Sequence, residues 1–430
     1  MRVVVIGGGI CGLAAAVRLA KQGAEVTVLE AGEQLGGLGT FFKDGDNWID
    51  RFYHCIMPTD EHLLGLLDEI GIRDRVYWKK TRMGFLVNHD HFSFNTPLDL
   101  LRFTPLPFLQ RLRLGVVSLL LRRLGEGKDL DNLRTEDWLK SLFGDAIWQA
   151  VWKPLFHSKF GDHASELPAL YLWQRLGRES NVADRGYPRG GYKSIIDALS
   201  AYIEREGGDV RTGAPVKNIR ESADGIVVEL GDNTVVEADW AISTVPLPLL
   251  RQITAGSSLE GAYRDPELPY QGVVNALFFL ARPLEGFYWT PVLDCGTEFD
   301  GVVEMSTLVD AEQFGDRHLA YVMKYTDRES ELFLEPEQSI AQRWTKQLID
   351  IYPNLPLTAE DILDVKVFKA PFVEPAYPLG YGSMKPDVRV GSSRLLLATT
   401  AQVYPNITAW NSSVRMAGEV VDFLKSCTSA

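Results

Sequence analysis

The stretch Val3-Val4-Val5-Ile6-Gly7-Gly8-Gly9-Ile10-Cys11-Gly12 decides the fold of this chain. A buried apolar strand runs into a glycine-rich turn, and residues 13–22 follow with the apolar spacing of a helix. Gly7 permits the sharp turn, Gly9 lets a pyrophosphate approach the backbone, and Gly12 lets the helix pack closely against the strand. This order predicts a dinucleotide-binding βαβ unit, in which the helix N-terminus faces an anion.

An acid and a second glycine turn follow in register. Glu30 stands 18 residues after Gly12, where a carboxylate accepts hydrogen bonds from a ribose 2′-hydroxyl and selects an unphosphorylated adenosine ribose. Gly36-Gly37 comes soon after and suits a second approach of the backbone to a pyrophosphate. One glycine pattern can arise by chance in a chain with 38 glycines, but the agreement of strand, turn, helix, second strand and acid indicates a real unit.

The glycine triplet, the acid and the glycine pair together resemble the FAD-binding signature of one flavoprotein superfamily. It includes flavin amine oxidases, protoporphyrinogen oxidase, phytoene desaturases and UDP-galactopyranose mutase. The resemblance implies FAD as the cofactor, bound by Gly7, Gly8, Gly9, Ile10, Cys11, Gly12, Glu30, Ala31, Gly36, Gly37, Leu38 and Gly39. Leu38 departs from the pattern, because many members have Arg there, so one expected charge near the flavin or its phosphates is missing.

Later segments extend the resemblance to the FAD site. They resemble the valine whose backbone contacts the adenine edge, the end of a strand beside the dinucleotide, the position of an acid that binds the ribityl chain, and a helix N-terminus at the flavin N1–C2 edge. The matching residues are Val216, Thr244, Thr400, and Ala409, Trp410 and Asn411. A threonine replaces the ribityl acid here, and its hydroxyl can still form a hydrogen bond.

The resemblance also implies active-site candidates. The segment 47–55 matches one that passes near the isoalloxazine, so His54 and Tyr53 are candidate catalytic groups, together with Tyr404. A half-buried histidine with a satisfied hydrogen bond is an equal interpretation of His54. Flavin amine oxidases carry a lysine that holds a water against flavin N5 on a strand like 273–280. Asn275 matches that position and the run contains no lysine, which counts against ordinary amine oxidation.

Charged and aromatic residues suggest a substrate site. Lys153, His157 and Lys159 fall together near an expected cleft and would suit an anionic substrate, as would Arg189. Trp289 belongs to an aromatic cluster at the edge of a predicted sheet. The alternative for the lysines is a solvated surface, and most tryptophans of the region 129–177 are expected in the core.

The fold class is predicted as α/β. A Rossmann-type FAD-binding domain with a central parallel sheet and a β-meander is expected to be discontinuous, over residues 1–60, 187–246 and 387–430. An interleaved α+β substrate domain, with a mixed sheet and a helical cap, is expected over residues 61–186 and 247–386. A chain of 430 residues is consistent with two domains.

Composition narrows the partners. A net charge of −13 argues against nucleic acid, since no basic face is available to neutralise phosphates. The four cysteines are scattered, so neither a disulfide framework nor a metal site is expected. The N-terminal segment resembles a structural strand rather than a cleaved leader, and we therefore expect a cytoplasmic protein that acts on a small molecule, either lipophilic or nucleotide-linked.

The Leu- and Phe-rich segment 98–124 carries five arginines and two prolines. Its apolar runs are too short to span a bilayer, which takes about 20 residues. We favour a core helix of the substrate domain whose arginines extend outward. The alternative is a helix that lies in a membrane surface or guards the entrance to a lipophilic pocket.

Three functions remain open from the sequence. The favoured one is an FAD-dependent oxidoreductase, in which hydride leaves a C–H, C–N or C–C unit of the substrate for flavin N5. A second is a non-redox flavin enzyme resembling UDP-galactopyranose mutase, in which Lys153, His157 and Arg189 would hold a diphosphate. A third is a binding protein resembling Rab GDP-dissociation inhibitors, which the intact glycine turns and Glu30 disfavour.

Overall fold

The computed structural model describes residues 1–179 and 183–429. The predicted domain ranges also include residues 180–182 and 430, which lie outside the described part.

The elements of the first half of the chain are β1 (Arg2–Ile6), α1 (Ile10–Lys21), β2 (Glu25–Leu29), β3 (Phe41–Asp44), β4 (Asn47–Asp50), α2 (Glu61–Glu69), β5 (Val76–Lys80), β6 (Gly84–Val87), β7 (Asp90–Ser93), α3 (Pro97–Arg102), α4 (Phe108–Gly125), α5 (Thr135–Phe143), α6 (Asp145–Ile147), α7 (Lys153–Phe160), α8 (Ala169–Glu179), β8 (Asp184–Pro188) and α9 (Lys193–Arg205).

The second half continues with β9 (Asp209–Arg211), β10 (Val216–Glu221), β11 (Ile226–Leu230), β12 (Val235–Ala238), β13 (Trp240–Ser243), α10 (Leu247–Thr254), β14 (Tyr270–Leu280), β15 (Trp289–Leu293), β16 (Gly301–Glu304), β17 (His318–Thr326), α11 (Glu331–Leu334), α12 (Glu337–Asp350), β18 (Ile362–Pro375), β19 (Leu395–Leu397) and α13 (Trp410–Thr428).

A five-stranded parallel sheet has the order β19-β13-β1-β2-β9. Both faces of β1 are buried, as expected of a central parallel strand. Val3 and Val5 pack with α1, α9 and α13 on one face. Val4 and Ile6 pack on the other face with the antiparallel meander β10-β11-β12. The alternation of side chains along β1 therefore joins two layers of core to one sheet.

A seven-stranded mixed sheet forms the second body of the core, in the order β18-β14-β17-β16-β15-β6-β7. Strand β14, which pairs with β18 and β17, is buried along its whole length. Val274, Ala276 and Phe278 pack against α12, whereas Val273 and Leu277 pack toward the cluster that contains β1 and α1. The face that bears Val273 and Asn275 is thus turned toward the cofactor half of the molecule.

These sheets confirm the predicted α/β class with a parallel central sheet, a meander and a mixed sheet. The parallel sheet takes its strands from three separate parts of the chain, in agreement with a discontinuous cofactor domain. Helices α5 to α8 occupy the segment expected to form the cap. The boundaries of the two domains stay a prediction.

The expectation of a core helix for the segment 98–124 is wrong for its outer face. On α4 the inner side chains Leu114 and Leu121 are buried, but Leu109 and Leu119 are 77% and 76% exposed. The leucine content of the segment does not show that its apolar residues occupy two opposite faces. Within residues 1–179 and 183–429, no helix is long and apolar enough to cross a membrane.

Gly12 is predicted to be the position of α1 that tolerates a side chain least. A Cβ at Gly12 would lie 1.9 Å from the Gly7 carbonyl oxygen, and only a backbone shift could relieve that contact. We expect Gly12→Ala to lower the free energy of unfolding by about 1 to 3 kcal/mol or more, measured by urea titration.

Gly65→Ala in α2 is the matched control. A Cβ at Gly65 would meet no atom within 4 Å, so alanine should raise the free energy of unfolding by about 0.5 to 1 kcal/mol through helix propensity. Equal stability changes in the two variants would contradict the close packing of α1 on the glycine turn.

Candidate functional site

A cavity of about 950 Å³ is lined by residues of both sheets. All five parallel strands point their carboxyl ends at it. The residues at or just after those ends that line it are Gly7, Glu30, Ala214, Thr244 and Ala398. In open α/β sheets this edge is where ligands bind, because the strands diverge there and leave a crevice.

The two glycine turns meet at this edge. Gly9 and Gly36 form an isolated parallel bridge, and the Gly36 N–H donates to the Gly8 carbonyl over 2.8 Å. A Cβ on Gly37 would lie 3.3 Å from the Gly9 Cα, and Gly37 has a φ of +58°. The two turns therefore present backbone without side chains to the cavity, which is what a pyrophosphate needs for close approach.

Glu30 stabilises the first of these turns through hydrogen bonds from the backbone. Its Oε2 accepts from the Gly8 N–H over 2.7 Å, and its Oε1 accepts from the Gly32 N–H over 2.8 Å. The carboxylate also lines the cavity. Since an ionised carboxylate has about four lone-pair sites, two remain for the hydroxyls of a ribose.

The N-terminus of helix α13 lies at the cavity. The helix begins after Ala409, whose side chain does not cap the first N–H groups. Ala409 and Trp410 line the cavity. Gly39 is required by this packing, because a Cβ there would lie 2.3 Å from the Trp410 ring. The arrangement leaves the positive end of the helix dipole facing the cavity.

The segment that carries Tyr53 and His54 is anchored by Asp50. The Tyr187 hydroxyl donates to the Asp50 carboxyl over 2.5 Å, and the Tyr321 hydroxyl donates to the Asp50 carbonyl over 2.7 Å. Burial raises the pKa of Asp50 to about 7, and the hydrogen bond from Tyr187 opposes the shift. Sequence reasoning missed this anchor, since its partners come from β8 and β17.

His54 is a neutral, half-buried histidine beside the N-terminus of α13. Its ring lies 5.0 Å from the Tyr192 ring and 5.9 Å from the Trp410 ring. Burial lowers the pKa of His54 to about 4, which its hydrogen bond to the Phe52 carbonyl only partly offsets. A carbonyl only accepts, so Nδ1 carries the proton of that 2.9 Å bond and Nε2 is the acceptor.

Tyr53 and Trp289 form an aromatic wall of the cavity. Their rings are stacked, with centroids 6.2 Å apart and planes inclined by 20°, and both residues line the cavity. Burial raises the pKa of Tyr53 well above its usual value, and the neighbouring hydroxyl of Tyr325 adds to the shift. Tyr53 therefore keeps its proton at neutral pH.

Asn275 lies on the cavity face of β14. Its Nδ2 donates to the Arg51 carbonyl over 2.8 Å, whereas its buried Oδ1 has no hydrogen-bond partner among the residues that the structure describes. The side chain lines the cavity. An unpaired buried carbonyl oxygen is costly, so the position is suited to a donor group on a bound molecule.

The cavity contains charged residues that the sequence did not single out as a group. Lys159 and Glu374 form an ion pair of 3.0 Å, and the Tyr171 hydroxyl donates to Glu374 over 2.8 Å. Asp300 also lines the cavity and pairs with Lys324 at 2.6 Å. Burial raises the pKa of Asp300, and Lys324 opposes the shift. More than 200 residues separate Lys159 from Glu374, and no local pattern links them.

Most of the predicted cofactor residues line the cavity. Gly8, Gly12 and Gly39 do not, but they shape the turns and the packing around it. Of the later predictions, the residues that line the cavity are Val216, Thr244, Thr400, Ala409, Trp410, Asn275, Trp289, Tyr53 and His54.

Several predicted site residues are not brought to the cavity. The Tyr404 hydroxyl donates to Asp131 inside a cluster of tyrosines. The guanidinium of Arg189 lies over the Tyr77 ring, 5.9 Å from its centroid. The side chain of Asn411 accepts from the Leu63 N–H at the start of α2.

Lys153 and His157 also lie off the cavity wall, on the same helix as Lys159. The His157 side chain is 57% exposed. Helix geometry explains the difference, because α7 turns only one of its faces to the cavity. Among the described residues, no group of three or more His, Cys, Asp or Glu is placed to hold a metal ion.

Comparison with known proteins assigns a family to this arrangement. A family model described as flavin containing amine oxidoreductase matches residues 10–421. The 15-cis-phytoene desaturase of Solanum lycopersicum is 24% identical over 318 residues, which are 67% of this chain and 54% of that protein. The flavin-containing amine oxidase B of Sus scrofa is 23% identical over 430 residues, covering 94% of this chain and 80% of that protein. The chain thus spans about half the length of the tomato desaturase.

Solved structures with the same fold cover nearly the whole chain. An oxidoreductase from Methanosarcina mazei has a TM-score of 0.74 at 21% identity, with 98% of this chain and 100% of that chain covered. Reduced UDP-galactopyranose mutase has a TM-score of 0.75 at 16% identity, with 99% of this chain and 96% of that chain covered. At these identities the similarity shows the fold and not the reaction.

The neutral state of His54 predicts a pH dependence of stability. The folded pKa of about 4 lies below the ordinary value of 6.5, so the unfolded chain takes up this proton more readily. The stabilising effect is complete above about pH 6.5 and is lost as the pH falls toward 4. Between about pH 7.5 and 4.5, the wild type should lose roughly 2 to 3 kcal/mol that a His54→Gln variant does not lose.

Urea unfolding at the two pH values measures this difference. His157→Gln is the control, a histidine exchange at a side chain that is 57% exposed and does not line the cavity. If His54→Gln and the wild type lose the same stability, His54 is not held neutral by burial.

Proposed function

The chain belongs to the family of flavin containing amine oxidoreductases, and on that premise we propose that it is an FAD-dependent oxidoreductase acting on a largely apolar substrate. The observation that carries the proposal is the continuity of the cavity. It runs from the glycine turns and Glu30 past α13 to the aromatic wall of Tyr53 and Trp289. One space thus accommodates both a dinucleotide and a second molecule.

The residues present fit FAD. Glu30 and Val216 would hold the adenosine, with the free lone pairs of Glu30 accepting from the ribose hydroxyls. Gly9 and Gly37 would hold the pyrophosphate against bare backbone, at the N-terminus of α1. The N-terminus of α13 would stabilise negative charge on the flavin. When bound, FAD supplies the hydride acceptor.

The walls beyond the flavin end are mainly apolar. They come from the start of β6, from α7 and α8, and from β18, and include Met83, Phe85, Leu155, Phe156, Phe160, Leu172, Leu176 and Phe372. Such walls exclude water and bind a substrate through its hydrocarbon surface. The similarity to the 15-cis-phytoene desaturase of Solanum lycopersicum supports this substrate class.

The charges of the cavity support oxidation of a carbon centre that carries no cationic amine. Both Asp300 and Glu374 are already paired with lysines, so neither carboxylate is an unopposed partner for an ammonium group. Asn275 stands where a lysine would be expected in an amine oxidase. We infer that the substrate is oriented mainly by shape, with Asn275 Oδ1 available to one donor group.

Neither Tyr53 nor His54 is charged near neutral pH. Tyr53 keeps its proton and His54 lacks a second one, so each orients the substrate through a fixed hydrogen-bonding role. His54 offers Nε2 as an acceptor, and Tyr53 offers an aromatic face and a hydroxyl. The chain thus places two uncharged side chains beside the reacting carbon.

The mutase alternative has no specific observation in its favour. It requires Lys153, His157 and Arg189 to meet around a diphosphate, and none of the three lines the cavity. The similarity to UDP-galactopyranose mutase is one of fold.

Two measurements on the purified protein test the proposal. We expect a flavin absorbance band and release of free FAD on denaturation. Under anaerobic conditions, polyenes and other apolar substrates should bleach the band more readily than small primary amines. A protein without FAD would support a binding role, and a protein active only after prior reduction, with no net electron transfer, would support a mutase.

Glu30 gives a sharper test of the cofactor position. Glu30→Ala removes the hydrogen bonds to the ribose and to the Gly8 N–H, so FAD affinity should fall by about 1.5 to 3 kcal/mol, or roughly 10- to 150-fold. Titration of the apoprotein with FAD measures the change.

Glu33→Ala is the matched control, because Glu33 is exposed and does not line the cavity. It should bind FAD as the wild type does. Unchanged FAD affinity in Glu30→Ala would contradict the assignment of the ribose to Glu30.

A further inference from the structure

Exposed apolar side chains are concentrated on α3 and α4. Eight of the fifteen large hydrophobic side chains that are exposed among the described residues lie between positions 98 and 120. We call this surface the α3–α4 face, and it consists of Leu98, Leu101, Phe108, Leu109, Leu112, Val116, Leu119 and Leu120. Scattered exposed leucines are common in proteins, but a contiguous cluster of this kind marks an interaction surface.

The residues of α4 on this face form one stripe. Successive residues of a helix are rotated by about 100°, which places positions 108, 109, 112, 116, 119 and 120 within an arc of about 120°. Leu114 and Leu121, on the opposite side of the helix, are buried in the core. The helix is therefore apolar on an inner face that packs and on an outer face that does not.

Basic residues border the stripe. By the same rotation, Arg111 and Arg122 flank one edge of it and Arg113 flanks the other. Residues 97–128 contain six cations, namely Arg102, Arg111, Arg113, Arg122, Arg123 and Lys128, and two acids, Asp99 and Glu126. The local charge is thus positive in a chain whose net charge is −13. An apolar stripe edged by arginines is the pattern of helices that lie in a bilayer interface.

The α3–α4 face lies directly outside the substrate end of the cavity. Phe103, which follows α3, packs against Phe85 with ring centroids 5.9 Å apart, and Phe85 lines the cavity. On the other side, the Trp173 indole N–H donates to the Arg122 carbonyl over 2.8 Å and joins α4 to α8. The same helix α8 supplies Leu172 to the cavity.

We propose that the α3–α4 face docks on the surface of a lipid bilayer that contains anionic headgroups. The apolar stripe enters the interface, and the exposed cations Arg102, Arg123 and Lys128 meet lipid phosphates. A second copy of the chain fits less well, because a two-fold contact would set these cations against one another. The inference is drawn from the surface alone, and it adds to the proposed function a source for an apolar substrate.

Vesicle binding by the FAD-containing protein tests the proposal. We expect the wild type to co-sediment with vesicles of phosphatidylcholine and phosphatidylglycerol, more weakly with pure phosphatidylcholine, and less at high salt. Leu109→Asp combined with Leu119→Asp should weaken binding at least about tenfold. Exchange of Arg102, Arg123 and Lys128 for Gln should remove the preference for the anionic lipid.

The matched control combines Leu334→Asp with Leu363→Asp, since these side chains are 70% and 51% exposed and lie outside the face. It should bind vesicles as the wild type does. FAD content and thermal midpoint show whether each variant is folded, independently of vesicle binding and of the reaction.

Two results would overturn the proposal. One is a folded wild type that binds no vesicles, or whose binding survives the Leu109→Asp and Leu119→Asp exchange. The other is a dimer in solution that this exchange dissociates, which would assign the face to a second copy. Loss of substrate oxidation with intact vesicle binding would contradict the proposed function and leave the docking surface standing.

Discussion

The contact between two glycine turns sets the geometry of the cofactor end of the cavity. Gly9 and Gly36 pair through their backbones. A Cβ on Gly37 would lie only 3.3 Å from the Gly9 Cα. The contact closes only because β1 and β2 are parallel neighbours whose carboxyl ends lie side by side. It holds the start of α1 open to an anion, and Glu30 then locks the first turn through the Gly8 N–H.

The seven-stranded mixed sheet completes the site through the alternation of side chains along its strand β14. On β14, every second side chain faces α12 and the others face the cofactor half. Asn275 lies among the latter, so a polar group reaches the cavity from an otherwise apolar strand. Asp50 anchors the segment of Tyr53 and His54, because it accepts hydrogen bonds from the hydroxyls of Tyr187 and Tyr321.

The sequence predicts those parts of the site that depend on local geometry. The glycine turns, Glu30 and the N-terminus of α13 lie where the pattern of strands and helices puts them. Tyr404 is a catalytic candidate in the sequence, but in the structure its hydroxyl donates to Asp131, 273 positions away. Glu374 went unnoticed for the same reason, because only tertiary structure brings β18 to α7. Solvent exposure is equally invisible in a leucine-rich segment whose apolar residues cover two faces of one helix.

The cavity and the α3–α4 face differ in how their charged side chains are arranged. Within the cavity, the carboxylates of Asp300 and Glu374 each face a lysine, so these two charges are offset locally between walls that are mainly apolar. On α4, Arg122 and Arg123 are exposed beside the leucines, whereas Arg111 and Arg113 donate to the carbonyls of Leu101 and Leu142. An apolar molecule that moves from a bilayer docked on this face into the cavity would exchange one apolar environment for another. Its transfer would not require passage through water.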